Sequence, residues 1–411
     1  MSPKSNYLYL LVSLLVSSLS FGRNFIFMSY LDLASVGQIA FMQTIIMLVG
    51  FIQIGLINGG YRIYASGKPN KNKVNDVVLI YLGGLFVLAT LLLLSFKSYW
   101  SYLDIEFDVA LIGMIAGFFT LFSTWFSNTL IANQKLIMSS LINLSAALVS
   151  FFLVFVFIKY DLYILLIAIA AQPLIILISA LVLNPNLRLR SLRFDLKIFK
   201  NIFALGITPF IVGLFLLAIY QVERWTIVGQ LGSESIGRYY LVLIFTSIFT
   251  LLPASLNNLY YPRLILAFEG QEKILCQSIL KRYFFELIIY LLMAVLTTLL
   301  FMPFFIEKFL PNYLETLDLV LISLPGLTFL VLSDVATLFF LAANQLKHIF
   351  YSGIAMFFIY VSLIFMFIST DLFSLHAVTY IRSFAFFAGF SLLFLQFFYI
   401  SKSSRYKWLT S

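Results

Sequence analysis

The sequence has very little charge. Only 10% of its 411 residues are Asp, Glu, Lys or Arg, whereas a soluble domain carries about 25%. A water-soluble fold would have to cover its surface with polar groups that this chain lacks, because 62% of the residues are hydrophobic. The shortage excludes an ordinary soluble fold and indicates that lipid surrounds most of the chain.

Cysteine, histidine and enzyme motifs are also scarce. The single Cys276 excludes an internal disulfide, and the isolated His348 and His376 cannot form a metal cluster. The chain contains no phosphate-cradling GxxxxGK[ST] segment and no paired carboxylates on a large loop. These absences predict that the protein is not an enzyme and that it uses no metal or other cofactor.

Long apolar runs are abundant. A membrane-spanning helix needs about 20 mostly apolar residues, and the first run, although it resembles a signal peptide, lacks a small-x-small cleavage site. The runs therefore predict an all-α polytopic membrane protein of about 12 transmembrane helices. The predicted spans are 7–31, 34–58, 77–96, 109–131, 138–158, 162–183, 204–228, 236–259, 283–305, 317–341, 350–369 and 376–400.

Basic residues indicate the orientation of these spans. With the N-terminus inside, most of the 26 Lys and Arg residues fall on the inner side, including those of the tail, Lys402, Arg405 and Lys407. Basic loops stay on the cytoplasmic side of a membrane. The pattern predicts that both termini are cytoplasmic, and it explains the net charge of +9 without a nucleic-acid partner.

The most basic segment lies near the middle of the chain. This segment, 184–200, is predicted to be a cytoplasmic linker between a lobe of six helices at 1–183 and a second at 201–411. Short matches favour duplication of a six-helix unit as parallel repeats, with convergent helix-end chemistry as the alternative. They are SVG 35–37 with SIG 235–237, INGGYR 57–62 with LNNLYYPR 256–263, and LIANQ 130–134 with LAANQ 341–345.

Charged residues inside the spans are candidates for function, because each costs about 2.5–3.5 kcal/mol near the bilayer centre. Arg23 lies in the first span, beside a set of polar residues. The spacing of these residues places them on one face of the helix, as the wall of a cavity would require. The alternative is that Arg23 extends to the outer interface beside Asp32. The face consists of Ser13, Ser17, Ser20 and Asn24.

Glu223 and Arg224 are adjacent in span 7. Neighbouring residues on a helix point about 100° apart, so at least one of the two must have a partner elsewhere. A third basic residue, Arg382, lies inside span 12 and could extend to the interface. The carboxylate of Asp334 in span 10 is either a structural partner or an ion-binding group.

The remaining candidates lie at helix ends. Arg62 and Arg263 occupy matching positions in the two halves, where they either bind a ligand or anchor the inner ends of spans 2 and 8. Near the inner end of span 9, Glu286 is expected to pair with Lys281 or Arg282.

The pattern ERWTIVGQLGSESIGRYYLV followed by LYYPRL resembles the polysaccharide-export flippases. These are the Wzx-type O-antigen transporters, in the polysaccharide biosynthesis protein family of the multidrug/oligosaccharidyl-lipid/polysaccharide exporter superfamily. The likeness covers the whole chain in layout, and its most specific part is a loose motif in spans 7 and 8. Its residues here are Leu231, Gly232, Ile236, Gly237, Tyr239, Pro262 and Arg263.

The resemblance implies two six-helix lobes around a central cationic cavity in a bacterial cytoplasmic (inner) membrane. Its expected substrate is an undecaprenyl-pyrophosphate-linked oligosaccharide, an O-antigen or capsule repeat unit, carried to the outer leaflet by alternating access. Membrane lipid is a further partner, and H⁺ or Na⁺ would couple through Asp334 or Glu223. The candidate substrate-binding residues are Arg23, Arg62, Arg224, Arg263 and Arg382.

Other functions stay open at this point. A multidrug or cation antiporter of the same superfamily would need an acid-rich cavity. An oligosaccharide polymerase or ligase would need a long outer loop with arginines. A flippase of lipid-linked peptidoglycan precursor usually has more than twelve spans.

Overall fold

The computed structural model describes residues 3–65, 71–102, 105–133 and 135–401. Gln134 of the LIANQ segment and the basic tail from 402 onward, with Lys402, Arg405 and Lys407, lie outside the described residues. Short 3₁₀ helices occupy Lys97–Tyr102, Pro185–Leu187 and Pro311–Thr316. The α-helices are α1 Pro3–Tyr30, α2 Leu33–Ile52, α3 Leu56–Ala65, α4 Lys71–Ser95, α5 Phe107–Ala132, α6 Leu136–Phe157, α7 Leu162–Leu183, α8 Leu196–Glu269, α9 Lys273–Phe309, α10 Leu317–Ala342, α11 Leu346–Ser369 and α12 Leu375–Ser401.

Within these described ranges, 11 stretches of helix are long and apolar enough to cross a membrane. Helices suit lipid because each one satisfies its own backbone hydrogen bonds where no water is present. The predicted class, an all-α polytopic membrane protein, is confirmed.

The count of eleven rather than twelve comes from α8. Predicted spans 204–228 and 236–259 lie on this one helical stretch, whose apolar part, Gly213–Phe268, has 56 residues. At 1.5 Å per residue it is about 84 Å long, more than twice the thickness of a hydrocarbon core. Gly232 interrupts it with φ 81° and ψ 179°, a backbone conformation open essentially to glycine alone. The stretch is therefore long enough for two crossings.

The predicted span 34–58 extends too far at its inner end. Ile54 and Gly55 have positive φ values of 42° and 76°, which end α2 and turn the chain into the short helix α3. A side chain at Gly55 would also overlap the backbone carbonyl of Gly206 on α8. Arg62 consequently lies on α3 and not at the end of the second span.

The ends of other helices also differ from the prediction. The start of α9 is Lys273 rather than residue 283, which brings the basic residues before the predicted span into the helix. Side chains cap several N-termini. For example, Asp32 accepts from the Ser35 amide at 3.2 Å, and Asp161 accepts from the Tyr163 amide at 2.8 Å. In each case the side-chain oxygen accepts a hydrogen bond from a backbone N–H group of the first turn, which has no partner within the helix.

The chain forms two compact units. Unit 1 comprises Met1–Ile211 and Arg224–Gly237, and unit 2 comprises Val212–Glu223 and Arg238–Ser411. In unit 1, α1 packs on α6, α2 packs on α5, and both α5 and α6 pack on α7. In unit 2, α12 packs on α10 and α11, and α9 packs on α10. The lobes at 1–183 and 201–411, with their linker, stay a prediction.

In unit 1 the start of α2 touches α8 backbone to backbone. A Cβ atom at Gly37 would overlap the carbonyl oxygen of Ser233, and one at Gly237 would overlap the carbonyl oxygen of Leu33. The contact is reciprocal and depends on the absence of side chains at both positions. It joins the two segments, SVG and SIG, that the sequence matched to each other.

Candidate functional site

Unit 1 contains a polar cavity of about 720 Å³ between its helices. Four of its polar lining residues come from α1: Ser13, Ser17, Arg23 and Asn24. Ser20, which shares their predicted face, instead donates from its hydroxyl to the carbonyl of Val16 at 3.0 Å. The polar spacing of the first helix thus corresponds to one wall of the cavity.

A second polar wall of the cavity is on α5 and was missed in the sequence analysis. Its residues follow the i, i+3, i+4, i+7, i+8 spacing of one helical face. Polar residues at this spacing inside an apolar span are the sequence signal that could have identified this wall. The five residues are Thr120, Ser123, Thr124, Ser127 and Asn128. Three more lining residues, Ser139, Ser140 and Asn143, come from α6.

Arg23 is fixed in this cavity by neutral side chains. Its Nη1 donates to Ser150 Oγ at 2.8 Å and to Gln172 Oε1 at 2.9 Å. Ser150 Oγ in turn donates to the carbonyl of Ala168 at 2.8 Å. The guanidinium is therefore oriented by α6 and α7, and the alternative arrangement at the interface beside Asp32 is not the one observed.

The charge of the lining is one-sided. Of the described residues around the cavity, one is an arginine and none is Asp or Glu. An arginine stays protonated and can bind an oxyanion through two parallel N–H groups. Hydroxyl and amide side chains both donate and accept hydrogen bonds, as sugar hydroxyls require. The cavity is suited to an anionic, hydroxyl-rich group.

Unit 2 contains a buried ion pair. Arg382 Nη1 donates to Glu223 Oε1 at 3.2 Å, and the two side chains are 1% and 0% exposed. The ring of Tyr239 lies 5.6 Å from the Arg382 guanidinium carbon, and Tyr360 also interacts with this pair. Extension of Arg382 to the membrane interface is therefore wrong. Tyr239 belongs to the motif in spans 7 and 8, but its contact with Arg382 was not predicted, and Tyr360 was missed altogether, because an aromatic residue in an apolar span gives no signal of its partner.

Glu223 and Arg224 belong to different units, although they are adjacent. Glu223 is buried in unit 2, whereas Arg224 is half-buried in unit 1. Next to it, the ring of Trp225 packs edge-on against Phe41 with centroids 4.9 Å apart. The expectation that one of the two charges has a distant partner is confirmed by Arg382.

The other candidate arginines are not in these sites. Arg62 is exposed on α3, and neither it nor Arg224 is part of the cavity lining in unit 1. Arg263 is exposed near the end of α8 in unit 2.

Two further charged residues considered in the sequence analysis, both carboxylates, lie in unit 2. Asp334 is half-buried on α10 and interacts with Tyr283 of α9. The expected pairing of Glu286 is confirmed, since Arg282 Nε donates to it at 3.0 Å.

Solved structures share this architecture, whereas no protein-family model and no curated protein sequence matches the chain. The fold is one that this chain shares with membrane transporters of known structure. Among the similar structures is the lipid II flippase MurJ in an inward closed conformation, with 14% identity and a TM-score of 0.72 over 95% of this chain and 87% of MurJ.

Two multidrug transporters are similar as well. An inward-facing MATE family transporter is 15% identical, with a TM-score of 0.71 over 94% of this chain and 96% of its own. The MATE transporter ClbM in complex with Rb⁺ is 13% identical, with a TM-score of 0.62 over 98% of this chain and 95% of its own. At such identities the likeness shows the fold alone.

Proposed function

We propose that this chain is a flippase that moves the pyrophosphate-sugar head of an undecaprenyl-linked oligosaccharide to the outer leaflet. The observation that carries the proposal is the cavity of unit 1, whose lining has a positive charge, many hydroxyl and amide groups and, among the described residues, no carboxylate. Its volume of about 720 Å³ lies in the range of small-molecule sites.

In this proposal Arg23 binds a phosphate oxygen while Ser150 and Gln172 hold its guanidinium in place. Arg224, in the same unit, is a second phosphate contact made during alternating access. The exposed Arg62 and Arg263 anchor helix ends or contact lipid, and the buried Arg382 holds Glu223. These roles divide the five candidate arginines by their burial and partners.

The test is translocation of a fluorescent undecaprenyl-pyrophosphate saccharide in proteoliposomes. Arg23→Ala is expected to slow transport about 10- to 100-fold, because hydrogen bonds to charged groups contribute about 1.5–3 kcal/mol. Arg23→Lys keeps the charge but loses the bidentate geometry and should be intermediate. Arg188→Ala removes an exposed arginine from the linker and is the matched control.

Two results would overturn the proposal. The first is an unchanged rate, or unchanged surface polysaccharide in cells, when Arg23→Ala and Arg224→Ala are combined. The second is a loss of transport in the Arg188→Ala control as large as the loss in Arg23→Ala. A melting curve for each variant separates lost transport from lost folding.

A second candidate function, a cation-coupled multidrug exporter, is favoured by Asp334. A half-buried carboxylate inside a span is a common place for a coupling ion. In vesicles with an imposed H⁺ or Na⁺ gradient, Asp334→Asn should abolish the response to the gradient. Drug resistance on overexpression without saccharide transport would favour the exporter.

The location in a bacterial inner membrane, with cytoplasmic termini, is part of the same proposal. In a Cys276→Ser background, a cysteine replacing Arg193 should be labelled only from the cytoplasmic side, and one replacing Asp161 only from the outside. The reverse result would invert the orientation.

A further inference from the structure

A groove of about 380 Å³ lies in unit 2 between the end of α8 and the start of α9. It is separate from the cavity assigned to the flippase substrate, and it lies on the side of the membrane that the basic residues predict to be cytoplasmic. Its described lining residues are Tyr260, Arg263, Leu266, Leu275, Ser278, Ile279 and Arg282.

The polar part of the groove carries two positive charges. Arg263 and Arg282 are both exposed, and the hydroxyl of Ser278 is beside them in the lining. One of the two guanidinium groups is partly neutralised, since Arg282 Nε donates to Glu286 at 3.0 Å. Arg263 makes no ion pair with a described residue, and Tyr260 interacts electrostatically with both arginines. The groove thus keeps a cation available for an oxyanion.

The walls beside these charges are apolar and face outward. Leu266 is 68% exposed and Leu275 is 45% exposed. The next residue toward the turn, Ile274, is 82% exposed. Such side chains at a membrane surface contact acyl chains, so the groove presents cations and apolar surface to one amphipathic ligand.

We propose that this groove binds the phosphate of an anionic glycerophospholipid, with Arg263 as the principal contact and Arg282 and Ser278 beside it. A guanidinium fork matches two phosphate oxygens. Basic pockets between transmembrane helices on the cytoplasmic side are a recurrent type of lipid-headgroup site. The acyl chains lie along Leu266 and Leu275.

The test is native mass spectrometry of the full chain in detergent, titrated with phosphatidylglycerol or with zwitterionic phosphatidylcholine. The wild type should retain phosphatidylglycerol in preference to phosphatidylcholine. Arg263→Gln is expected to lower the apparent affinity for phosphatidylglycerol about fivefold. Adding Arg282→Gln should lower it further by a smaller factor, because Glu286 already partly neutralises Arg282. Arg263→Lys should lie between wild type and Arg263→Gln because it keeps only the charge.

The control is the double variant Arg188→Gln with Arg193→Gln, which removes two exposed charges from the linker. It should bind phosphatidylglycerol like the wild type. The proposal fails if the control loses as much affinity as the groove variant, if the groove variant binds normally, or if both lipids bind equally. Saccharide transport by the groove variants is a separate readout, so failure here leaves the flippase proposal standing.

Discussion

The buried pair of Glu223 and Arg382 leads to a quantitative prediction about unit 2. Replacing either residue alone by an apolar one leaves the other charge in a site that is 0–1% exposed. Breaking such a pair from one side costs about 3–5 kcal/mol, whereas replacing both partners by apolar residues of similar size is often neutral or stabilising. Glu223→Leu and Arg382→Met should therefore each destabilise strongly, and their combination should recover most of the loss.

The measurement is the unfolding free energy from SDS titration in mixed micelles, for wild type, both single variants and the double variant. The chain supplies a matched control, because Arg282 and Glu286 form a pair at 3.0 Å whose side chains are 71% and 32% exposed. Breaking that pair should have little effect, since exposed pairs are screened by solvent.

The reasoning about the pair is refuted if the single variants behave like this control. It is also refuted if the double variant loses the sum of the two single losses, since the two side chains would then be energetically independent.

Three further perturbations use the same titration. Gly37→Ala places a methyl group on a backbone carbonyl and should lower the unfolding free energy by about 1–3 kcal/mol. Its control is Gly84→Ala, where an added methyl group has nothing within 4 Å and should be neutral or stabilising. Equal losses of stability in the two variants would contradict the close contact at Gly37. Gly232→Ala must hold φ 81° and ψ 179° and should cost about 1–3 kcal/mol; wild-type stability would mean that α8 has no break there. Trp125→Phe removes the 2.9 Å bond from Trp125 Nε1 to buried Asn75 Oδ1 and should cost about 1–3 kcal/mol, which an unchanged midpoint would disprove.

The fold was largely predictable from hydropathy, because a lipid solvent requires long apolar helices whatever their neighbours are. The places where the prediction was wrong are local backbone events. The positive φ at Ile54 and Gly55 ends α2 early, and Gly232 breaks α8 without ending its helical pattern. A hydropathy window averages over such single residues and does not detect them.

The candidate sites were predictable where polar residues repeat on one helix. The spacing of Ser13, Ser17 and Asn24 indicated a cavity wall, and the polar residues from Thr120 to Asn128 carried the same signal. Partners on different helices gave no such signal: Arg382 is 159 residues from Glu223 along the chain. Periodicity describes one helix face, whereas a contact between helices depends on how they pack.

The sequence by itself therefore determined the solvent, the helical class, the approximate spans and the need for partners around the intramembrane charges. Only the tertiary structure decided which partner each charge has. Arg23 and Arg382 are equally costly in an apolar span, yet one faces a polar cavity and the other is buried against Glu223. The reason is that burial cost is a property of a residue and its solvent, while the compensating contact is a property of helices brought together in space.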